Sequence, residues 1–278
     1  MQDVQRDLRL AREILDDMAD CYDFLDSNRL YFKSNEPLSF IFSHFDFSKK
    51  DIFSVLGSSD QLFSFYCLGA NSVSTFDIHR LTEYYYYLRR WSIEHGMGSN
   101  LCEYNNSELK KLIFDVIPRF SEETFAKEFW GTLLYEYPEL MHSNLFFSDA
   151  SFMLTPFNER ENELIDKLPS GPLSFHTQDL FKSFSIDDTY DVVFISNILE
   201  YARGNDTKLE ICRDNLDSLL HSNGIVIATN FMDTFSDVLA REARVFSSSF
   251  DIIPGEKRYS PISKEMVDSY YVYQKKSH

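Results

Sequence analysis

The amino-acid sequence predicts an α/β fold organised on a mostly parallel, seven-stranded sheet. Three observations lead there. Runs such as YDVVFISN (190–197) and GIVIATNF (224–231) are nearly unbroken in Val, Ile and Phe, as strands covered on both faces must be. Helical text separates the runs, which is the doubly wound βαβ alternation. The runs also tend to close on Gly, Asp, Ser or Asn, residue types that suit a ligand site at the carboxyl ends of strands.

Taken in order, residues 7–26 carry helical periodicity, with Leu8, Leu15, Met18, Tyr22 and Leu25 recurring between charges. A short apolar segment, PLSFIFSHFDF, begins at Pro37, and residues 1–49 read as a helical N-terminal extension. The sheet domain is expected over 50–278. Its strands are DIFSVL (51–56), SVSTFDI (72–78), LSFHTQD (173–179), YDVVFISN and GIVIATNF, followed by the β-rich pieces SSFDIIPG and DSYYVYQKK, an expected antiparallel edge pair. DQLFSFYCLG and RLTEYYYYLRRWSIEHG are the first two crossover helices. DTKLEICRDNLDSLLHSNG is a later one, with Ser-Asn-Gly as its stop. Residues 97–170 exceed what a crossover needs and read as a helical insertion. It holds NNSELKKLIFDVI, with Asn105 and Glu108 in capping-box spacing, then TFAKEFWGTLLYEY, then NERENELIDKL closed by Pro169 and Gly171. The insertion is expected to pack with the N-terminal helices over the site.

A chain of 278 residues with 44% hydrophobic and 16% aromatic content buries a core, so disorder is excluded for most of it. The 44 acidic against 27 basic residues give a formal charge of −17, which repels phosphate backbones and anionic headgroups. Nucleic acid is therefore not the expected partner. The cysteines (Cys21, Cys67, Cys102, Cys212) form no CxxC pair and fit no zinc spacing, so no metal is expected. Two of them sit in apolar helical text and read as buried thiols. No stretch has membrane-helix length and the charged N-terminus lacks a signal core, which predicts a cytoplasmic protein without stable membrane insertion. The sequence does not address the oligomeric state.

The candidate site follows from the strand ends. The first strand turns through Gly57-Ser58-Ser59-Asp60-Gln61. One glycine and an acid make a poor pyrophosphate cradle, whereas Asp60 suits a cationic group such as an ammonium or sulfonium, or else caps the following helix. Asp77 ends the second strand some 20 residues after the turn, where an acid accepts hydrogen bonds from ribose hydroxyls; Ile78 follows it. Asp179 is placed to meet an adenine amino group or to cap the helix after it. Ser196 and Asn197 end the fourth strand, with Glu200 and Tyr201 just beyond. A hydroxyl and an amide there can hold an amino-acid carboxylate or orient an acceptor, or simply build a turn. Asn197 and Tyr201 are the candidates nearest the reacting centre. Of Tyr84 to Tyr87, consecutive residues on a helix, one or two are expected in the core and one is a candidate to reach the ligand. His79 is read as structural.

Strand, Gly57 turn, helix and Asp77 together resemble the Rossmann-like class I S-adenosylmethionine-dependent methyltransferase fold over about residues 50–276. More narrowly, VLGSSDQLFSFYCLGANSVSTFDI, RLTEYYYYLRRW and DVVFISNILEY are similar to the S-adenosylmethionine:diacylglycerol 3-amino-3-carboxypropyltransferases of betaine-lipid synthesis. Asp60, Asp77, Ser196 and Asn197 match that family's motif positions. Gly57 and Ser59 stand where it has Ser and Gly, and His79 where it has Asn. The resemblance implies S-adenosylmethionine as cofactor, with Gly57, Ser58, Asp60, Gln61, Asp77, Ile78, Asp179, Ser196 and Asn197 around it. It also implies transfer of a methyl or 3-amino-3-carboxypropyl group. The acidity of the chain favours a small or soluble acceptor over a membrane lipid. A non-catalytic protein keeping the fold as a scaffold is the alternative, and a nicotinamide oxidoreductase is disfavoured by the missing glycines.

Overall fold

The apolar runs form the seven strands β1 Asp51–Val55, β2 Ser72–Asp77, β3 Phe175–Thr177, β4 Tyr190–Ser196, β5 Leu220–Asn230, β6 Phe250–Tyr259 and β7 Val267–Lys275. The computed structural model describes residues 4–16, 30–31, 36–96, 106–116, 124–138, 140, 145–147, 156–157, 160–183, 186–202, 205–230, 236–259 and 267–277. The strands align in the order β3-β2-β1-β4-β5-β7-β6. Neighbours from β3 to β5 are parallel, and β7 runs antiparallel to both β5 and β6. This is the Rossmann-like class I methyltransferase topology.

Alternation along each strand divides the core between the two faces. On β4, Val192 and Phe194 join a cluster that also contains residues of the first helices, while Val193 and Ile195 join the cluster on the other face. The helices are α1 Val4–Asp16, α2 Leu38–Phe42, α3 Asp60–Cys67, α4 Leu81–Glu94, α5 Asn106–Lys110, α6 Thr124–Glu136, α7 Glu161–Leu164, α8 Asp206–Leu219 and α9 Ser236–Phe246. The first face carries residues of α1 to α4 and α6, the second those of α8 and α9. α5 continues as a π-helical turn, Lys111–Val116. A two-residue parallel pair joins Leu30–Tyr31 to Phe146–Phe147.

Every residue of α4 from Leu81 to Ile93 is buried, because the extension and the insertion wrap it. α1 meets α6 through Arg12 and Glu136 (2.7 Å), the Tyr84 hydroxyl donates to Asp7 (2.6 Å), and the Trp130 indole donates to the Tyr84 carbonyl (2.8 Å). α1 and α6 thus pack against each other.

The structure departs from the sequence reading in places. The N-terminal helix is described over Val4–Asp16 only; Met18, Tyr22 and Leu25 lie outside the described residues, as does Asn105 of the expected capping box. Among the described residues of NERENELIDKL the helix covers Glu161–Leu164, after which turns lead to Pro169. Ser222-Asn223-Gly224 does not stop a helix. α8 ends at Leu219 and β5 starts at once, so these residues form an irregularity inside the strand, with Asn223 at φ 66° and the register shifting between Tyr190/Leu220 and Val192/Ile225. The turn chemistry of Asn-Gly is used there for a bulge.

Candidate functional site

The site begins at the β1–α3 turn. Gly57 (φ 49°) and Ser59 (φ 72°) both take left-handed backbone conformations, which tightens the turn at the carboxyl end of β1. The Gly57 N–H donates to Asp77 Oδ2 (3.2 Å) and the Ile78 N–H to Oδ1 (2.8 Å), so the acid at the end of β2 clasps the turn. Burial raises the Asp77 carboxyl above its ordinary range, opposed by His79, these two N–H groups and the Thr82 hydroxyl. Beside it the Ile78 side chain is 58% exposed, an apolar surface at the rim.

Asp60 is placed otherwise than the cation-facing reading expects. It is 1% exposed and its Oδ1 pairs with Arg89 Nη1 at 2.9 Å, while Ser58 Oγ donates to its Oδ2 at 2.9 Å. Arg89 also donates to the Ser58 carbonyl and lies among the rings of Phe63, Tyr85 and Phe157, at 5.3 to 5.9 Å. Nor is Asp60 the helix cap; that position is Ser59. The Asp60 charge is spent inside the protein, locking the turn to α4.

A different acid reaches the strand ends. Glu36, 1% exposed, accepts at Oε1 from Ser196 Oγ (2.5 Å) and from Thr229 Oγ1, and at Oε2 from Gln61 Nε2 (3.1 Å). Those three donors stand after β1, at the end of β4 and at the end of β5. The chain following β1 goes to β2 on one side, and the other neighbour of β1 is β4, so this is the topological switch point of the sheet. Ser196 sits at φ 53°, a left-handed conformation that a non-glycine residue seldom adopts. Its Oγ lies 3.3 Å from Asn197 Oδ1. Asn197, Glu200 and Tyr201 are half-buried, the last two within a short 3-10 helix, Ile198–Ala202.

Of the sequence candidates, the structure brings together Gly57, Ser58, Gln61, Asp77 and Ser196. Asp179 is engaged locally: it accepts from the Phe181 N–H (3.0 Å) and pairs with Lys182 (3.2 Å). All four tyrosines 84–87 are buried, more than the one or two expected. His79 Nδ1 accepts from the Leu81 N–H (3.3 Å), a structural role at the start of α4. A cleft of about 810 Å³ lies along the β3 edge, lined by Arg80 and Glu83 of α4, Phe125 and Glu128 of α6, and Phe175 and Thr177 of β3. Thr177 is the register partner of Asp77, so the cleft borders the clasped strand end. Among the described residues no helix is long and apolar enough to cross a membrane.

Sequence reasoning missed Glu36, Thr229 and Arg89. Arg89 had a signal: a charge inside an aromatic helix that is apolar on every side needs a buried partner. Glu36 had none beyond preceding Pro37, since its partners are distant in the chain.

No protein-family model matches this chain, and no curated protein is significantly similar to it. Solved structures similar to it include the ribosomal protein L11 methylase of Lactobacillus delbrueckii subsp. bulgaricus, with 12% identity and a TM-score of 0.43 over 86% of this chain and 76% of that one. The N-methyltransferase NodS of Bradyrhizobium japonicum WM9 in complex with S-adenosyl-L-homocysteine has 9% identity and a TM-score of 0.44, over 99% and 100%. The 1,6-didemethyltoxoflavin-N1-methyltransferase of Burkholderia thailandensis has 11% identity and a TM-score of 0.39, over 86% and 76%. The fold assignment rests on the strand order, which these likenesses accompany.

Proposed function

We propose that this chain is an S-adenosylmethionine-dependent transferase that moves a methyl or 3-amino-3-carboxypropyl group to a small or soluble acceptor. The observation that carries the reading is the Gly57–Asp77 clasp, which sets an acid at the end of β2 against a tight turn at the end of β1. An ionised carboxylate offers about four lone-pair sites, and the Gly57 and Ile78 N–H groups use one on each oxygen. A ribose diol supplies donors of matching chemistry, and Ile78 offers an apolar face for a planar base.

The bound donor supplies an electrophilic carbon on a sulfonium. The residues of the chain orient that carbon, and which one reacts is decided by which is presented in line to the acceptor. An acceptor lone pair forms the new bond to carbon while the carbon–sulfur pair returns to sulfur, so a deprotonated acceptor needs no base. Asn197 and Tyr201 are the residues assigned here to face the acceptor.

The test is calorimetric titration with S-adenosylmethionine, wild type beside Asp77→Ala, with melting curves to establish that both are folded. Micromolar binding lost in the variant supports the donor site. Absence of binding by the wild type would sink the reading in favour of a scaffold. S-adenosylhomocysteine as product then identifies methyl transfer, and methylthioadenosine identifies aminocarboxypropyl transfer.

A further inference from the structure

We infer that the cleft along β3 binds an extended, positively charged peptide, which adds to the sheet as a further strand beyond β3.

The backbone of β3 carries the first part of the case. β3 is the first strand in the sheet order, with no strand beyond it among the described residues. Its ladder with β2 uses alternate residues: the Thr75 N–H donates to the Ser174 carbonyl and the Gln178 N–H to the Asp77 carbonyl, 2.8 Å each. Thr75 and Asp77 are the register partners of Phe175 and Thr177. In a parallel pair with that pattern, the N–H and carbonyl groups of Phe175 and Thr177 point away from β2. Leu173, two residues earlier, shares that orientation, and its N–H donates to the Tyr87 hydroxyl (3.2 Å). Among the described residues the edge is thus satisfied at Leu173 and open at Phe175 and Thr177, which both line the cleft. A row of alternating donors and acceptors is what another extended backbone matches.

The cleft supplies room and chemistry for the side chains of such a peptide. It holds about 810 Å³. Phe125 and Phe175 are half-buried rings in its wall. Phe125 is fixed edge-on to Tyr87 at 5.4 Å and lies under the Arg80 guanidinium at 5.6 Å. An apolar side chain would cover these rings. The charges select the sign of the partner. Arg80 is matched by Glu83, Nε to Oε2 at 2.9 Å. Glu128 is exposed, accepts from Gln5 Nε2 at 3.4 Å, and forms no ion pair among the described residues. The unmatched charge of the lining is therefore an acid, and the net charge of −17 adds a field of the same sign. A peptide that alternates apolar and basic side chains meets both demands, and an acidic one is repelled.

The experiment titrates the full chain with acetyl-Val-Lys-Val-Lys-Val-amide and with the same peptide carrying Glu for Lys. Two further isomers of the basic peptide are N-methylated at one or the other alternate set of amides. The basic probe is expected to bind and the acidic one not. One methylated isomer should keep the affinity and its counterpart lose it, because only one set of amides faces β3. Thr177→Pro removes an outward N–H that the β2 ladder does not use, and is expected to weaken binding at least roughly 10-fold. Thr177→Val keeps that N–H and should bind as the wild type does. Glu128→Lys should weaken the basic probe roughly 5-fold, while Asp251→Lys, at the opposite edge of the sheet on β6, should not. Melting curves establish that each variant is folded. No binding of the basic probe, equal behaviour of the two isomers, or undiminished binding by Thr177→Pro would overturn the inference. Equal effects of Glu128→Lys and Asp251→Lys would reduce the attraction to diffuse charge and overturn it as well. A wild-type dimer in sedimentation that Thr177→Pro dissociates would assign the edge to a second copy of the chain instead.

Discussion

At the scale of single residues, the fold places acids in unlike surroundings and so gives them unlike chemistry. Asp60 has a guanidinium, Asp77 has backbone N–H groups, Glu36 has hydroxyls and an amide. Glu242 on α9 is a fourth case. It is 4% exposed, and burial, with some repulsion from Glu200, raises its carboxyl from 4.5 to about 7. Below the ordinary carboxylate range both folded and unfolded chains hold this proton. Between 4.5 and about 7 only the folded chain keeps it, so stability falls as pH rises through that window, and above it the full penalty is in place. Glu242→Gln is therefore expected to match the wild type near pH 4 and to exceed it near pH 8 by up to about 3 kcal/mol. Urea unfolding at both pH values checks this, and a constant gap between the two proteins would count against it.

At the scale of elements, the strands were legible because a sheet covered on both faces leaves no polar alternation to confuse them. The β1 turn and Asp77 were legible because strand ends in such a sheet are where ligands bind. The Ser222–Gly224 stretch was misread because Asn-Gly serves a bulge as readily as a helix stop. Geometry decides between them: a Cβ at Gly224 would lie 2.9 Å from Leu220 Cδ2, 3.1 Å from the His221 carbonyl oxygen and 3.2 Å from that of Asp191. Two of those atoms belong to the backbone and cannot swing away. Gly224→Ala is expected to cost roughly 1–3 kcal/mol, read from denaturant midpoints. A neutral result would mean that the bulge relaxes freely. Glu36 was illegible for a related reason. Its partners lie 25, 160 and 193 residues along the chain, beyond any local pattern.

At the scale of the molecule, the extension and the insertion belong to one core. Leu8 and Ala11 of α1, Tyr84 to Tyr87 of α4 and Trp130 of α6 share a cluster with Val192 and Phe194 of the sheet. We expect them to unfold together. Leu8→Ala should cost about 2–5 kcal/mol and lower the transition seen by tryptophan fluorescence and by far-ultraviolet circular dichroism alike. Two separated transitions would show that the N-terminal helix is a detachable unit.

The reach of Glu36 has a consequence for how the protein is made. Thr229 leaves the ribosome 193 residues after Glu36, its hydrogen-bond partner. At about 5–20 residues per second that interval is on the order of 10–40 s. During it the Glu36 carboxylate lacks the hydroxyl of Thr229. The buried surroundings of this acid are therefore completed only when β5 joins the sheet, long after the acid itself was laid down.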